Sequence, residues 1–171
     1  MLEPRFDEHD LPTDDEVCTE TATQLRRDVI EYHALTDADY TSKWMVYPVN
    51  SPQRQAVAER IARYFHREAG FDHPPYSAGD ETPDRPVYLV RSERLSTMVP
   101  LIAGAVAFRR VEDAWVLSWV WLHPWERSGE LTHLTFNTLD QIHGPFLVAG
   151  PVRKAMRGLM DKRGYREVRI R

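Results

Sequence analysis

Cysteine is nearly absent from this sequence. Cys18 stands alone, so no intrachain disulfide and no cysteine-paired zinc site can form. It lies in Asp15-Glu16-Val17-Cys18-Thr19-Glu20, where neighbouring carboxylates disfavour a thiolate and argue against a nucleophile. Long apolar runs are also missing, and the longest falls far short of the roughly 20 residues a membrane-spanning helix needs. No basic region leads from Met1 into an apolar stretch, so a secretory leader is not expected. No pair of carboxylates and no His-x-x-x-His spacing supports a metal site, so no metal is expected. Together these absences predict a soluble, cytoplasmic protein without a membrane partner.

An excess of positive charge is lacking too. The net charge is -4, which tells against a general nucleic-acid binder. The charge is unevenly spread: eight Asp or Glu and one Arg fall in the first twenty residues, and eight Lys or Arg with two acids follow from Pro151. The basic end suits a phosphate-bearing ligand, or it is simply a solvated helix face and strand edge.

What is present suits one domain. The 171 residues are 42% hydrophobic and 28% charged, enough to bury a core unaided by staples. Residues 1–25 are acidic and aperiodic and read as a flexible segment, leaving 26–171 as a single domain. Val29 to Ala34 has partial strand character, and Trp44-Met45-Val46-Tyr47 is a second short apolar run ended by Pro48. Ser51-Pro52 opens a helix through residue 67, with Ser51 as cap, Pro52 in the first turn and Gly70 as stop. Val57, Ile61 and Phe65 form its apolar stripe. Residues 71–85, with Pro74, Pro75 and Pro83, read as a surface loop that is either a lid or inert.

The clearest part is 86–171. Strands are predicted at Pro86 to Val90, Leu101 to Arg110 and Trp115 to His123. Trp115, Leu117, Trp119 and Trp121 share one face of the last of these by its two-residue period; Val116, Val120 and Leu122 share the other. A helix follows Gly129, with Leu131, Leu134, Thr138, Leu139 and Ile142 inward, and Gly144-Pro145 stops it. Phe146 to Ala149 is a buried strand, and a second helix turns Val152, Ala155, Met156 and Leu159 inward and ends at Gly164. Tyr165 to Ile170 is the last strand. The order β-β-β-α-β-α-β predicts an α/β fold: a mixed, mostly antiparallel central sheet flanked by helices.

Ligands of such sheets bind beyond the carboxyl ends of strands, and the handover here is His123 to Glu130. Ser128 is a reasonable cap there, Gly129 allows close backbone approach, and a helix N-terminus favours an anion. His123 is either a base at the strand end or a cap for backbone groups, and Glu93, between two strands, is a second candidate for the cleft. Trp121 and Trp125 either line an acceptor pocket or pack in the core.

The run His123-Pro124-Trp125-Glu126-Arg127-Ser128-Gly129-Glu130-Leu131 resembles the acyl-CoA-binding segment of the GCN5-related N-acetyltransferases (GNATs). Phe146 to Pro151, and Ala155-Met156 through Lys162-Arg163-Gly164-Tyr165, are similar to that family's closing strand, helix and aromatic after glycine. The resemblance spans about 86–171 and implies the acyl-CoA N-acyltransferase fold, with direct transfer from acetyl-CoA, or another acyl-CoA, to a small-molecule or protein amine. It implies Trp121 and Leu122 beside the pantetheine arm, and Glu126, Arg127, Ser128, Gly129, Glu130 and Leu131 around the pyrophosphate; the amine would then need His123 or Glu93, the candidates named above, as base. A homodimer is left open as a further partner. Leu131 replaces a small residue, and its side chain either enters the core or crowds the cradle. Met160 stands where many members carry a tyrosine that protonates the leaving thiolate, which leaves a catalytically inactive binding or regulatory protein of this fold as the alternative.

Overall fold

A computed structural model describes residues 46–92, 102–127 and 129–169, apart from the side chain of Trp125. The acidic segment 1–25, Cys18, the run Val29 to Ala34 and Trp44 lie outside the described residues. Among these residues six strands form one sheet in sequential order: β1 (Val46–Pro48), β2 (Val87–Arg91), β3 (Ile102–Val111), β4 (Ala114–Leu122), β5 (Leu147–Ala149) and β6 (Arg166–Val168). β1 to β4 pair antiparallel, whereas β4–β5 and β5–β6 are parallel. The fold is therefore α/β with a mixed sheet, and antiparallel pairs outnumber parallel ones.

Among the described residues three helices flank the sheet: α1 (Pro52–Ala69), α2 (Glu130–His143) and α3 (Lys154–Arg163). Their ends follow local chemistry. Ser51 Oγ accepts from Arg54 N at 3.4 Å, and Gly70 closes α1 in the left-handed region at φ 69°. Gly164 ends α3 the same way, at φ 71°. α1 covers one face of the sheet. Val57, Ile61 and Ala62 there meet Leu89, Ala105, Trp119 and Trp121. α2 and α3 cover the other, where Leu131, Phe136, Leu139 and Met160 meet Val106, Phe108, Leu117 and Val148. Phe108 and Phe136 are completely enclosed, and truncating a phenylalanine so buried costs about 3–5 kcal/mol.

Three sequence expectations change, the simplest being that Ala155 of α3, expected inward, is exposed while Met160 is buried. Trp115 and Leu117 do not share a face with Trp119 and Trp121. They pack on the α2/α3 side, with Val120 and Leu122. The cause is a bulge: Ala107 faces Trp119 but Phe108 faces Leu117, so Ser118 is an extra residue in β4. One extra residue reverses every later side chain in a period-two strand. Ile142 is exposed rather than inward, and Thr135 and Phe136 occupy the buried stripe of α2 instead.

The proline-rich loop is pinned to the core. Tyr76 is buried against the α1 side of the sheet, and its hydroxyl donates to Glu81 Oε2 at 2.6 Å. Glu81 also accepts from Gln55 of α1. Among the described residues no helix is long and apolar enough to cross a membrane.

Candidate functional site

The bulge at Ser118 has a second effect. Bulges bend and twist the strand that carries them. β4 pairs with β5 only at Val116–Leu147 and Leu117–Val148; from Ser118 on, the two strands are no longer partners. The gap that opens is a cavity of about 410 Å³. Val120, Trp121 and Leu122 of β4 form one wall; Gly129, Thr132, His133 and Phe136 bring the N-terminal half of α2 to another. Ala155, Met156, Gly158, Leu159 and Lys162 of α3 lie opposite, and Phe65, Glu68 and Ala69 close the α1 side.

The backbone of β4 faces this gap. His123 N–H donates to Ala103 O on the β3 side at 2.6 Å. Backbone groups alternate along a strand, so Leu122 and Val120 turn theirs the opposite way, toward the gap. Leu122 O is met there by Arg127 Nε at 2.8 Å. The α2 N-terminus supplies further donors, since the first turn of any helix has N–H groups without helical acceptors. Gly129 caps that helix with extended backbone, φ -102° and ψ -172°, and no side-chain cap bond. A Cβ there would meet only Glu126 O at 3.8 Å, so the protein itself does not demand glycine at this place.

The charged groups are coupled. Arg127 and Arg153 stand on the wall with Lys162, against Glu68 as the carboxylate among the described lining residues. Arg127 makes a two-pronged bond to Glu68, Nη1 to Oε1 at 2.7 Å and Nη2 to Oε2 at 2.5 Å. Its guanidinium lies 5.6 Å from the Trp121 ring centroid, and Trp121 Nε1 donates to Glu68 Oε2 at 2.9 Å. Arg153 pairs with Glu68 Oε1 at 3.5 Å and donates to the Glu68 backbone carbonyl. Partial burial alone would raise the Glu68 pKa; the bonds from Arg127 and Trp121 and the charge of Arg153 outweigh it and hold it below the usual carboxylate value. Glu68 and Arg127 side chains are each 37% exposed, where an ion pair contributes about 0–1 kcal/mol.

The residues expected from the sequence fall into three groups. Trp121, Leu122, Arg127 and Gly129 line the cavity. Leu131 is buried in the core, so it does not crowd the gap. Glu126 is also buried, turned inward to accept from Ser92 Oγ, and Glu130 is exposed and off the wall. Neither carboxylate therefore faces the cavity. His123 is 2% exposed at the end of β4, its ring 6.2 Å from that of Trp121, and it is not on the wall. Glu93 and Ser128 lie outside the described residues, as does the Trp125 side chain. Met160 of α3 is buried in the core rather than on the wall.

Glu68, Arg153, Lys162 and Met156 were not singled out in the sequence as site residues, although all line the cavity. Arg153 and Lys162 carried a weak signal, as members of the basic C-terminal stretch. Glu68 carried none, because its partners are 59 and 85 positions away. Among the described residues no group of three or more His, Cys, Asp or Glu side chains is placed to hold a metal. No protein-family model matches the chain, and no curated protein matches it significantly.

Proposed function

We propose that this protein is an acyl-CoA-dependent N-acyltransferase of GNAT type, taking acetyl-CoA or another acyl-CoA and passing the acyl group directly to an amine. One observation carries the reading: β4 parts from β5 at a bulge, and the gap leads to the N-terminus of α2. A thioester arm needs an apolar slot with backbone partners for its amides. Val120, Phe136, Met156 and Leu159 supply the slot, and the gap-facing backbone of Val120 and Leu122 supplies the partners. A pyrophosphate needs cations and free N–H groups at the mouth, which Arg127, Arg153 and the first turn of α2 supply. In the reaction the amine nitrogen attacks the thioester carbon, the C–S bond breaks, and the CoA thiolate takes up a proton as the amine loses one. Backbone donors facing the carbonyl oxygen stabilise the charge that develops there. Glu93 and His123 are the base candidates, and His123, enclosed and off the wall, would have to act through an intervening water.

A second reading is favoured by one specific feature. The described cavity wall carries neither tyrosine nor cysteine, and its carboxylate is engaged by two arginines. A non-catalytic acyl-CoA-binding protein of the same shape has no need of such groups. Calorimetric titration with acetyl-CoA and CoA, followed by an assay for free thiol with a panel of amines, separates the two. The acyltransferase reading expects micromolar-range binding and amine-dependent thiol release. Binding without release supports the binding module, and no binding under any condition removes both.

A further inference from the structure

We propose that Glu68 is an internal counter-anion at the cavity mouth, holding Arg127 and Arg153 until a phosphate-bearing ligand displaces it. The proposal takes its ligand from the acyl-CoA reading, but it rests on a separate set of contacts.

Glu68 is poorly supported by its own helix. It lies in the last turn of α1 (Pro52–Ala69), where the helix dipole is unfavourable for an anion. It is held instead by residues from other elements: Arg127 after β4, Arg153 at the start of α3, and the Trp121 indole. Both arginines sit beside helix N-termini, since Arg127 precedes Gly129 by two residues and Arg153 is the N-cap of α3. Two guanidinium groups, each borne by a residue next to a helix start, thus converge on one carboxylate. A phosphate there would meet favourable dipoles from both helices, which Glu68 approaches only from the side of α1.

The pairing is also easy to break. The Glu68 and Arg127 side chains are 37% exposed and that of Arg153 is 58% exposed, so solvent screens both ion pairs. A phosphate offers the same forked geometry to a guanidinium with more charge than a carboxylate. Displacement would have a structural consequence as well. Arg153 donates to the Glu68 backbone carbonyl, which tethers the end of α1 to the start of α3. A ligand that takes Arg153 loosens that tether.

The test is titration of inorganic pyrophosphate and of CoA into wild type and Glu68→Gln. Glutamine keeps an acceptor for Trp121 and removes the competing charge. The expected result is about fivefold tighter pyrophosphate binding to Glu68→Gln, the factor that one weak ion pair represents. Equal or weaker binding overturns the proposal and makes Glu68 a positioning residue for Arg127. No pyrophosphate binding to either protein also overturns it. If pyrophosphate behaves as expected but CoA does not bind, this inference stands and the acyl-CoA reading falls. If CoA binds but pyrophosphate binds both proteins equally, the reverse holds. Should Glu68→Gln fail to fold, Glu68→Asp serves. It withdraws the carboxylate by one methylene and is expected to bind pyrophosphate more tightly than wild type, and affinity at or below wild type overturns the proposal.

Discussion

The two edges of β4 are built on opposite principles. Toward β3 the strand is paired from Leu122–Gly104 to Ala114–Val111, interrupted only by the bulge. Toward β5 it is paired at two positions and then open. The closed edge is so tight that a Cβ on Gly104 would lie 2.2 Å from Trp121 O and 3.0 Å from Leu122 Cα. On the open side a Cβ on Gly129 meets nothing nearer than 3.8 Å. One strand therefore acts as scaffold on one side and as cavity wall on the other. The bulge makes this feasible: the extra residue is absorbed in the β3 pairing, and the divergence it causes falls on the β5 side.

The contrast can be broken by substitution at its two glycines. Gly104→Ala places a methyl group against backbone, which cannot rotate away. Urea denaturation is expected to show a loss of about 3 kcal/mol or more. A loss below about 1 kcal/mol would mean that β3 and β4 do not approach as described. Gly129→Asp should behave in the opposite manner. Aspartate is a good N-cap, so stability should hold or rise by about 0.3 kcal/mol. CoA affinity should fall at least tenfold, because the new carboxylate takes the N–H groups that the ligand's phosphates need. Unchanged CoA affinity in a folded Gly129→Asp protein would place the ligand elsewhere.

A smaller effect tests the closed side from below. His143, in the last turn of α2, packs against Phe108, Trp115 and Tyr88, with ring centroids 4.2, 4.7 and 5.5 Å away. A helix C-terminus favours a charged imidazole, but burial among these rings wins and lowers its pKa from 6.5 to about 4. The unfolded chain therefore binds the proton more readily than the folded one. Stability from this site is complete above pH 6.5 and declines as pH falls toward 4, by at most about 1.4 kcal/mol per unit and less with partial exposure. His143→Phe should flatten that acid limb, read as urea midpoints at pH 7.5, 5.5 and 4.5. An unaltered limb would assign acid sensitivity to other groups.

Much of the fold was legible. Ser51-Pro52, Gly70, Gly144 and Gly164 mark helix ends through local sterics and hydrogen bonds, and each stands where the helices begin or stop. The handover from β4 to α2 was legible for the same reason, and with it Trp121, Leu122, Arg127 and Gly129 on the wall. The inward turn of Glu126 was not, because it depends on Ser92, 34 positions away. The buried stripe of α2 was half legible. Leu131, Thr138 and Leu139 are inward as their spacing implies, but polar Thr135 is buried and apolar Ile142 is exposed.

The sequence alone determined the order of elements and the turn at which a strand meets a helix N-terminus. These are consequences of side-chain period, capping and glycine, all of which act over a few residues. The tertiary structure decided that β4 carries a bulge at Ser118, that its edge toward β5 opens beyond Leu117, and that Glu68 clasps Arg127 and Arg153. A bulge exists only relative to a partner strand's register, and an ion pair only once distant segments have been brought together. Neither has a local signature that a single chain could display before it folds.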